Sequence, residues 1–472
     1  MHQHAGALSA SGGAVTSPAT RCGVAFLLTC CLLAFAAQAK VRERTANGVI
    51  TLERAYDMAL ETDQSIRTAY WEVRKADLLP WSAWAKLGPQ VSATSGYQRG
   101  ETVVGTSVPA RLENGVRAFV DQDALSHTGY GQIGISTQQP LIDFTFFPAL
   151  RLAKLSKAAT RLALQFTIRE TLYGVASAYY AVIKQQSIVK VNREALLLTE
   201  GQRDLAQKRL DVGEVTRTDV LRAQVTVETA RQTLVQSESA LELSRNTLAN
   251  ILNLAPNAPF SVIEPPGYPA ALPPFDALLA RAYDRREDLR VKVIAIDQDI
   301  ARRGAVLGLY GPKVVAGFSS GIGHTSGTSA SDANSWLASV SVNVPIFTGG
   351  QREVDLKTAE FQIQETRLAK ELAAKSVESD VKQAWLNVRT FEQTLKAARV
   401  QVVAAEQSYH DLQIQYRAGT ATSVDLLSAL NDFNTARQNL AAQTYDYQVA
   451  LRNIEAVSGV FQEQRVQRNS IR

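Results

Sequence analysis

Cysteine is missing from most of this chain: Cys22, Cys30 and Cys31 are its only three, and all lie near the start. Whatever folds beyond them does so without disulfides. Proline is absent from 149 to 255 and again from 346 to 472, so long helices are allowed in both tracts. Beyond Lys40 no apolar run reaches the roughly 18 residues that a membrane-spanning helix needs, which leaves a soluble exported protein or a β-barrel. Histidine is scarce: past the leader only His127, His324 and His410 occur, scattered along the sequence, so neither a metal site nor a cofactor is expected. There is no Walker loop and no Gly-x-Gly-x-x-Gly following a strand, and no enzyme is expected. The net charge of +5 is spread over 472 residues without a basic run, which argues against a nucleic-acid partner.

The start of the chain reads as an export signal. Arg21 precedes an apolar run from Gly23 to Ala37, and Ala37-Gln38-Ala39 offers the small residues a signal peptidase reads. Residues 1–39 are therefore expected to be removed, leaving a mature chain that begins near Lys40 and has no cysteine. Thr29-Cys30 lies too early in the apolar run to make a good lipoprotein signal.

What dominates the rest is a seam. Apolar residues fall at Val377, Val381, Ala384, Val388, Phe391, Leu395, Ala398, Val402, Ala405, Tyr409, Leu412 and Tyr416, in steps of four and three. A 3.5-residue repeat held over this distance predicts a long helix that supercoils against a partner. The helix should run from Gln351 to Arg417, roughly 100 Å at about 1.5 Å per residue. A second one, nearly as long, is expected from Ala149 to Asp211, with Ile168, Leu172, Val175, Tyr179 and Val182 in register before Gln186 and Arg193 interrupt the pattern.

The chain also repeats itself. Leu52-Glu53-Arg54-Ala55-Tyr56-Asp57 returns as Leu279-Ala280-Arg281-Ala282-Tyr283-Asp284, and Gly88-Pro89-Gln90-Val91-Ser92-Ala93 as Gly311-Pro312-Lys313-Val314-Val315-Ala316. Gly213, Asp219, Leu221, Ala223 and Thr229-Ala230-Arg231 return at a constant offset of 206 as Gly419, Asp425, Leu427, Ala429 and Thr435-Ala436-Arg437. This is one duplication of a large unit and not a solenoid. The units are expected at 40–254 and 275–459, joined by an irregular proline-rich linker at 255–274 and followed by a polar tail at 460–472. Gly213 and Gly419 read as the turns of helical hairpins. An Asp or Thr near either turn can be a helix cap and nothing more.

Each unit holds one strand pair. Trp336, Ala338, Val340, Val342 and Val344 alternate with Leu337, Ser339, Ser341 and Asn343, and Ile133 and Ile135 alternate with Gln132, Gly134 and Ser136. Their expected partners are Lys313 to Gly323 and Gln90 to Gln98, joined by a long polar loop in the first unit and by the Gly/Ser/Thr-rich Thr325 to Ser335 in the second. Phe144, Phe146, Phe147, Tyr310 and Phe347 cluster at one end of the strands, Tyr130 and Trp336 at the other. This placement fits the two aromatic girdles of an outer-membrane barrel, with ordinary edge aromatics of a periplasmic β-domain as the plainer alternative. Four strands cannot close a barrel alone, so strands in lipid would require several chains to share one.

The duplicated unit, the Pro140-Leu141-Ile142-Asp143 and Pro345-Ile346-Phe347-Thr348-Gly349-Gly350 strand exits and the paired Gly-x5-Asp-x-Leu-x-Ala blocks together resemble the TolC family of outer-membrane efflux channels. The resemblance spans about Val49 to Gly459. It implies a mostly α fold with a membrane β-barrel part: a homotrimer giving four strands per chain to a twelve-stranded barrel in outer-membrane lipid, continued by an α-barrel into the periplasm. It implies a periplasmic adaptor and an inner-membrane pump as partners, with protein secretion through an ATP-driven exporter as the alternative use of the same fold. By resemblance, Tyr416, Asp219 and Thr218 latch the periplasmic end, Asp425 belongs to an acidic ring there, and the turns at Gly213, Glu214, Gly419 and Thr420 meet the adaptor. Ala421 stands where a basic latch residue is expected and Ser428 where a second acid is expected, so Arg217 or Arg417 is offered as a substitute.

Overall fold

The computed structural model describes residues 48–471 apart from 112–114, 116, 256–257, 266–271 and 327–330. The expected leader and its cysteines lie outside the described residues. The first unit contains β1 (Gly48–Ile50), α1 (Leu52–Thr62), α2 (Gln64–Asp77), α3 (Leu79–Ala85), β2 (Gln90–Arg111), β3 (Arg117–Ile142), α4 (Phe146–Asp211) and α5 (Arg217–Ile251). After β4 (Phe260–Val262), the second contains α6 (Phe275–Arg285), α7 (Glu287–Gly308), β5 (Lys313–Ser326), β6 (Ser331–Asn343), α8 (Gln351–Arg417) and α9 (Ser423–Val457), and α10 (Glu463–Ile471) follows.

The seam determines how α8 packs. Every one of its twelve predicted positions is buried or half-buried, and Val377, Val381, Ala384 and Val388 are at most 2% exposed. The two long helices, 66 and 67 residues, both run from the strands, with α7 and then α9 between them. Alongside them the shorter helices complete a layer four wide. Near the strands its order is α2, α4, α7, α8; towards the far end it is α5, α4, α9, α8. In α4 the in-register residues Ile168, Leu172, Val175, Tyr179 and Val182 are fully buried against α1 and its neighbours, and the helix continues unbroken through Gln186 and Arg193.

The sheet has the order β2-β3-β5-β6, antiparallel throughout. Pairing of Ala93 with Ile135, Ile135 with Ser320 and Ser320 with Trp336 puts Val91, Tyr97, Ile133, Ile135, Phe318, Ile322, Trp336, Val340 and Val342 on one face. All of these are exposed. The opposite face carries mainly Ser, Gly, Gln and Thr, with the hydroxyls of Ser92 and Ser136 2.8 Å apart.

Three expectations are corrected. The first hairpin has no long polar loop: its ladder continues in unbroken register from Gln90 opposite Gln138 to Arg111 opposite Arg117. Backbone pairing carries it past the point where apolar alternation ends in the sequence. The linker is not wholly irregular, because Phe260–Val262 pairs in parallel with Gly48–Ile50. Tyr179 supports this two-stranded sheet from α4, its hydroxyl 2.9 Å from the Ile50 carbonyl and accepting from the Ile263 N–H at 3.2 Å. Phe146, placed by sequence in an aromatic girdle, is buried and packs edge-on against Trp84 at 4.8 Å, whereas Phe144, Phe147 and Phe347 are exposed.

The two units are tied together at mid-length. Arg169 on α4 and Glu287 in the first turn of α7 form an ion pair in which both side chains are 5% exposed. Arg169 also donates to the Phe461 carbonyl at 2.8 Å. The polar tail thus begins with a buried anchor: Phe461 meets Tyr56 and Tyr173 edge-on, and Arg465 lies over the Tyr56 ring and pairs with Glu53 and Asp57.

Candidate functional site at the helical tip

Both hairpin turns are built alike. Gly213 and Gly419 adopt φ of +80° and +78°, the left-handed conformation in which a side chain is strained. The Glu214 N–H closes on the Arg209 carbonyl at 2.8 Å and the Thr420 N–H on the Gln415 carbonyl at 2.9 Å, the six-to-one bond that ends a helix at such a glycine. Each following helix opens with a reciprocal cap. Asp219 Oδ2 accepts from the Thr216 N–H at 3.0 Å while Thr216 Oγ1 accepts from the Asp219 N–H at 3.3 Å. Asp425 and Thr422 repeat this at 3.2 Å in both directions. The sequence expectation of a cap is met at both turns.

The tips are joined by two cross-links. Ser423 Oγ, at the start of α9, donates to Asp219 Oδ1, the oxygen that the cap leaves over. Arg209, in the last turn of α4, donates to the Tyr416 carbonyl at 2.6 Å and lies 4.6 Å from the centre of the Tyr416 ring. Its Nε also holds Glu214 at 2.8 Å. Behind these contacts sits a small core of Tyr409, Tyr416, Leu426, Ala429, Leu430 and Phe433. Tyr409 stacks parallel on Phe433 and accepts from Gln202 Nε2 at 2.9 Å, so α4 is tied to this core as well.

Electrostatics follow the hydrogen bonds. The Ser423 hydroxyl, and then the Thr216 cap, hold the Asp219 carboxyl below its ordinary value. Asp425 is lowered too, by Thr422 alone. Both are ionised at neutral pH, and Asp425 remains exposed.

Of the residues singled out by sequence, Asp219, Tyr416 and Asp425 stand at this tip in defined contacts, and Thr218 is exposed on the first turn of α5. Ala421 packs beside the small core. Arg217 and Arg417 are exposed and form no ion pair among the described residues. The base that meets Tyr416 is instead Arg209. Neither Arg209 nor Ser423 carried a sequence signal, since each acts on the other hairpin, 207 and 204 residues away.

A long shaft ending in a polar, multiply bonded tip, and beginning in a sheet with one apolar exposed face, is the form of a channel protein. The family model described as outer membrane efflux protein matches residues 55–254 and 278–460. The outer membrane efflux protein BepC of Brucella suis is 26% identical over 330 residues, 68% of this chain and 70% of that protein. The outer membrane protein TolC of Vibrio cholerae is 25% identical over 426 residues, 88% and 92% of the two chains. The outer membrane channel CmeC of Campylobacter jejuni has a TM-score of 0.70 at 14% identity, over 89% of each chain. This chain belongs to the outer membrane efflux protein family, and is the outer-membrane channel component of an efflux system.

Proposed function

We propose that three copies of this chain close into one passive conduit for small molecules, handed on by an inner-membrane pump through a periplasmic adaptor. The observation that carries this is the open sheet. Four strands end in unpaired edges at β2 and β6, one face is apolar and the other small and polar, and lipid does not tolerate open edges. Three copies would give twelve strands with the apolar face outward. The helix layer is open in the same sense. Its far edges, α5 and α8, expose Leu221, Val225 and Val235 on one side and Val400, Val403 and Ile414 on the other. The pairs Arg193–Glu238 and Arg231–Glu200 set α5 against α4 so that Val235 stands at about the level of Val403. A neighbouring copy supplies the apolar partner that each edge lacks.

The tip lies at the far end from the lipid-facing sheet, which supports the reading that the turns at Gly213 and Gly419 reach deep into the periplasm and meet the adaptor there. Mass measurement in detergent should give a trimer; a stable monomer would overturn the shared barrel. Photo-crosslinkers at Glu214 and Thr420 should capture the adaptor in cells, and capture from Asp332 at the other end instead would reverse the orientation.

A further inference from the structure

The near-strand edges of the helix layer carry complementary chemistry, and we propose that they form a specific seam between neighbouring copies. On α2 and α3 the residues Arg67, Trp71, Arg74, Leu78 and Trp81 recur in steps of four, three, four and three, opposite the buried Val73, Ala76 and Ala83. All five are exposed, Trp71 at 64% and Trp81 at 75%. This stripe lies on the helix that ends the layer, so no element among the described residues covers it. On the opposite edge α8 exposes Val354, Phe361, Leu368 and Leu372, flanked by Glu365, Glu371 and Glu378. None of these three acids forms an ion pair among the described residues, nor do Arg67 and Arg74; Arg74 lies over the Tyr70 ring.

The two stripes also match in height. Ser65 reaches Thr171, and Asp77 pairs with Lys157 and Arg161, so Trp71 stands at about residue 165 of α4. Through α7, Ser156 meets Gln298 and Arg169 meets Glu287, while Asp299 meets Thr366 and Arg286 meets Asp380, which carries that level to about residue 375 of α8. Leu78 and Trp81 then fall beside Leu368 and the turn before it, while Arg74 falls beside Glu371 and Arg67 beside Glu378. Apolar meets apolar towards the membrane, and base meets acid below it. Beside the stripe, Arg54, Arg67, Tyr70, Trp71 and Arg468 line a cavity of about 550 Å³ that can receive side chains from the facing helix. On the α8 face Lys375 lies one turn from both Glu371 and Glu378, and Lys357, paired with Glu360, lies beyond Phe361.

This seam rests on the trimer reading, so its test must separate the two. With no cysteine in the expected mature chain, Trp71→Cys and Leu372→Cys can be placed in one protein without background. Two helices lie between these edges in one chain, and at 8–10 Å per helix spacing the sites are roughly 25 Å apart, too far for an internal disulfide. Mild oxidation of the intact protein in membranes should produce covalent dimers and trimers on denaturing gels, reversed by reductant and absent from either single variant. A second arm uses charge: Arg67→Glu should lower the temperature at which the trimer dissociates, and adding Glu378→Arg should restore it, which a folding defect would not do. A trimer by mass that bridges Val235→Cys to Val403→Cys but never 71 to 372, with no rescue by the reversed pair, overturns the seam and leaves the trimer standing. A monomer by mass, with no bridge at either place, overturns both.

Discussion

The two repeats make the same turn with the same cap, yet they use it differently. Asp219 and Asp425 occupy equivalent positions 206 residues apart, and both spend one carboxylate oxygen on a threonine cap. Among the described residues only Asp219 spends the other, on Ser423 of the opposite hairpin. Where the first repeat has Arg217, the second has Ser423, small enough to reach across. The first tip therefore holds the second, and the second tip keeps an exposed carboxylate. Duplication supplied two identical caps, and substitutions at neighbouring positions turned one into a clasp and left the other facing solvent.

The same contrast exists between mid-length and tip. At mid-length the repeats are joined by a dry ion pair, at the tip by half-exposed polar contacts, so the two joints should differ in strength. Glu287→Ala leaves Arg169 buried without its partner, and removal of one member of a buried pair costs about 3–5 kcal/mol. Denaturant unfolding in detergent should show this as a clear drop in midpoint. A change no larger than that of a surface substitution would mean that water reaches Arg169 and the joint is not dry.

Next in size is the clasp. Asp219→Ala removes a cap, typically about 1 kcal/mol, together with the bond to Ser423. The Asp425→Ala change removes a cap alone, so it should loosen the tip less. Resting single-channel conductance in planar bilayers orders the two: the Asp219 variant should be the more open, with Arg209→Ala, which strips the Tyr416 contact, on its side of the comparison. Equal conductance in the Asp219 and Asp425 variants would remove the asymmetry between the repeats.

Much of this molecule was legible in its sequence. The α8 seam was, position by position, because a heptad pattern is local and needs no knowledge of the partner. So were the duplication and both turns, since glycine at a left-handed position leaves a mark. What stayed hidden depends on distant partners. The ladder from Glu101 to Arg111 is held by backbone pairing, which leaves no side-chain period. Phe260–Val262 becomes a strand only because Gly48–Ile50 lies beside it. Arg209 looked like one more basic residue at a helix end until the fold brought Tyr416 to it. The capping pairs were visible, but not that one of them had a second oxygen in use.

Acid should weaken the clasp within a defined window. The Asp219 carboxyl is held below its ordinary value of 3.8 by Ser423 and Thr216, so its folded state is the stronger acid. Its stabilisation is then complete above about pH 4 and is lost as pH falls through the depressed value. Resting conductance should be flat between pH 5 and 8 and rise only below the ordinary carboxylate range. A rise centred near pH 6 would point to a different group.

The smallest expected effect concerns ions. In a trimer the exposed Asp425 becomes three carboxylates around one axis, and a ring of like charge at a narrow mouth attracts cations and excludes anions. Ser428 stands where a second acid would double that ring, so the selectivity should be mild. The competing account is that Asp425 does nothing beyond capping α9, a role the Thr422 contacts already demonstrate. Asp425→Asn separates the two, since asparagine caps nearly as well but carries no charge. Because Asp425 makes no cross-hairpin bond among the described residues, this change should leave the trimer and its conductance intact, unlike Asp219→Ala. The reversal potential in a salt gradient should move towards that of a non-selective pore. If it does not move, the carboxylate at the second tip is a cap only, and the difference between the repeats lies wholly in the clasp.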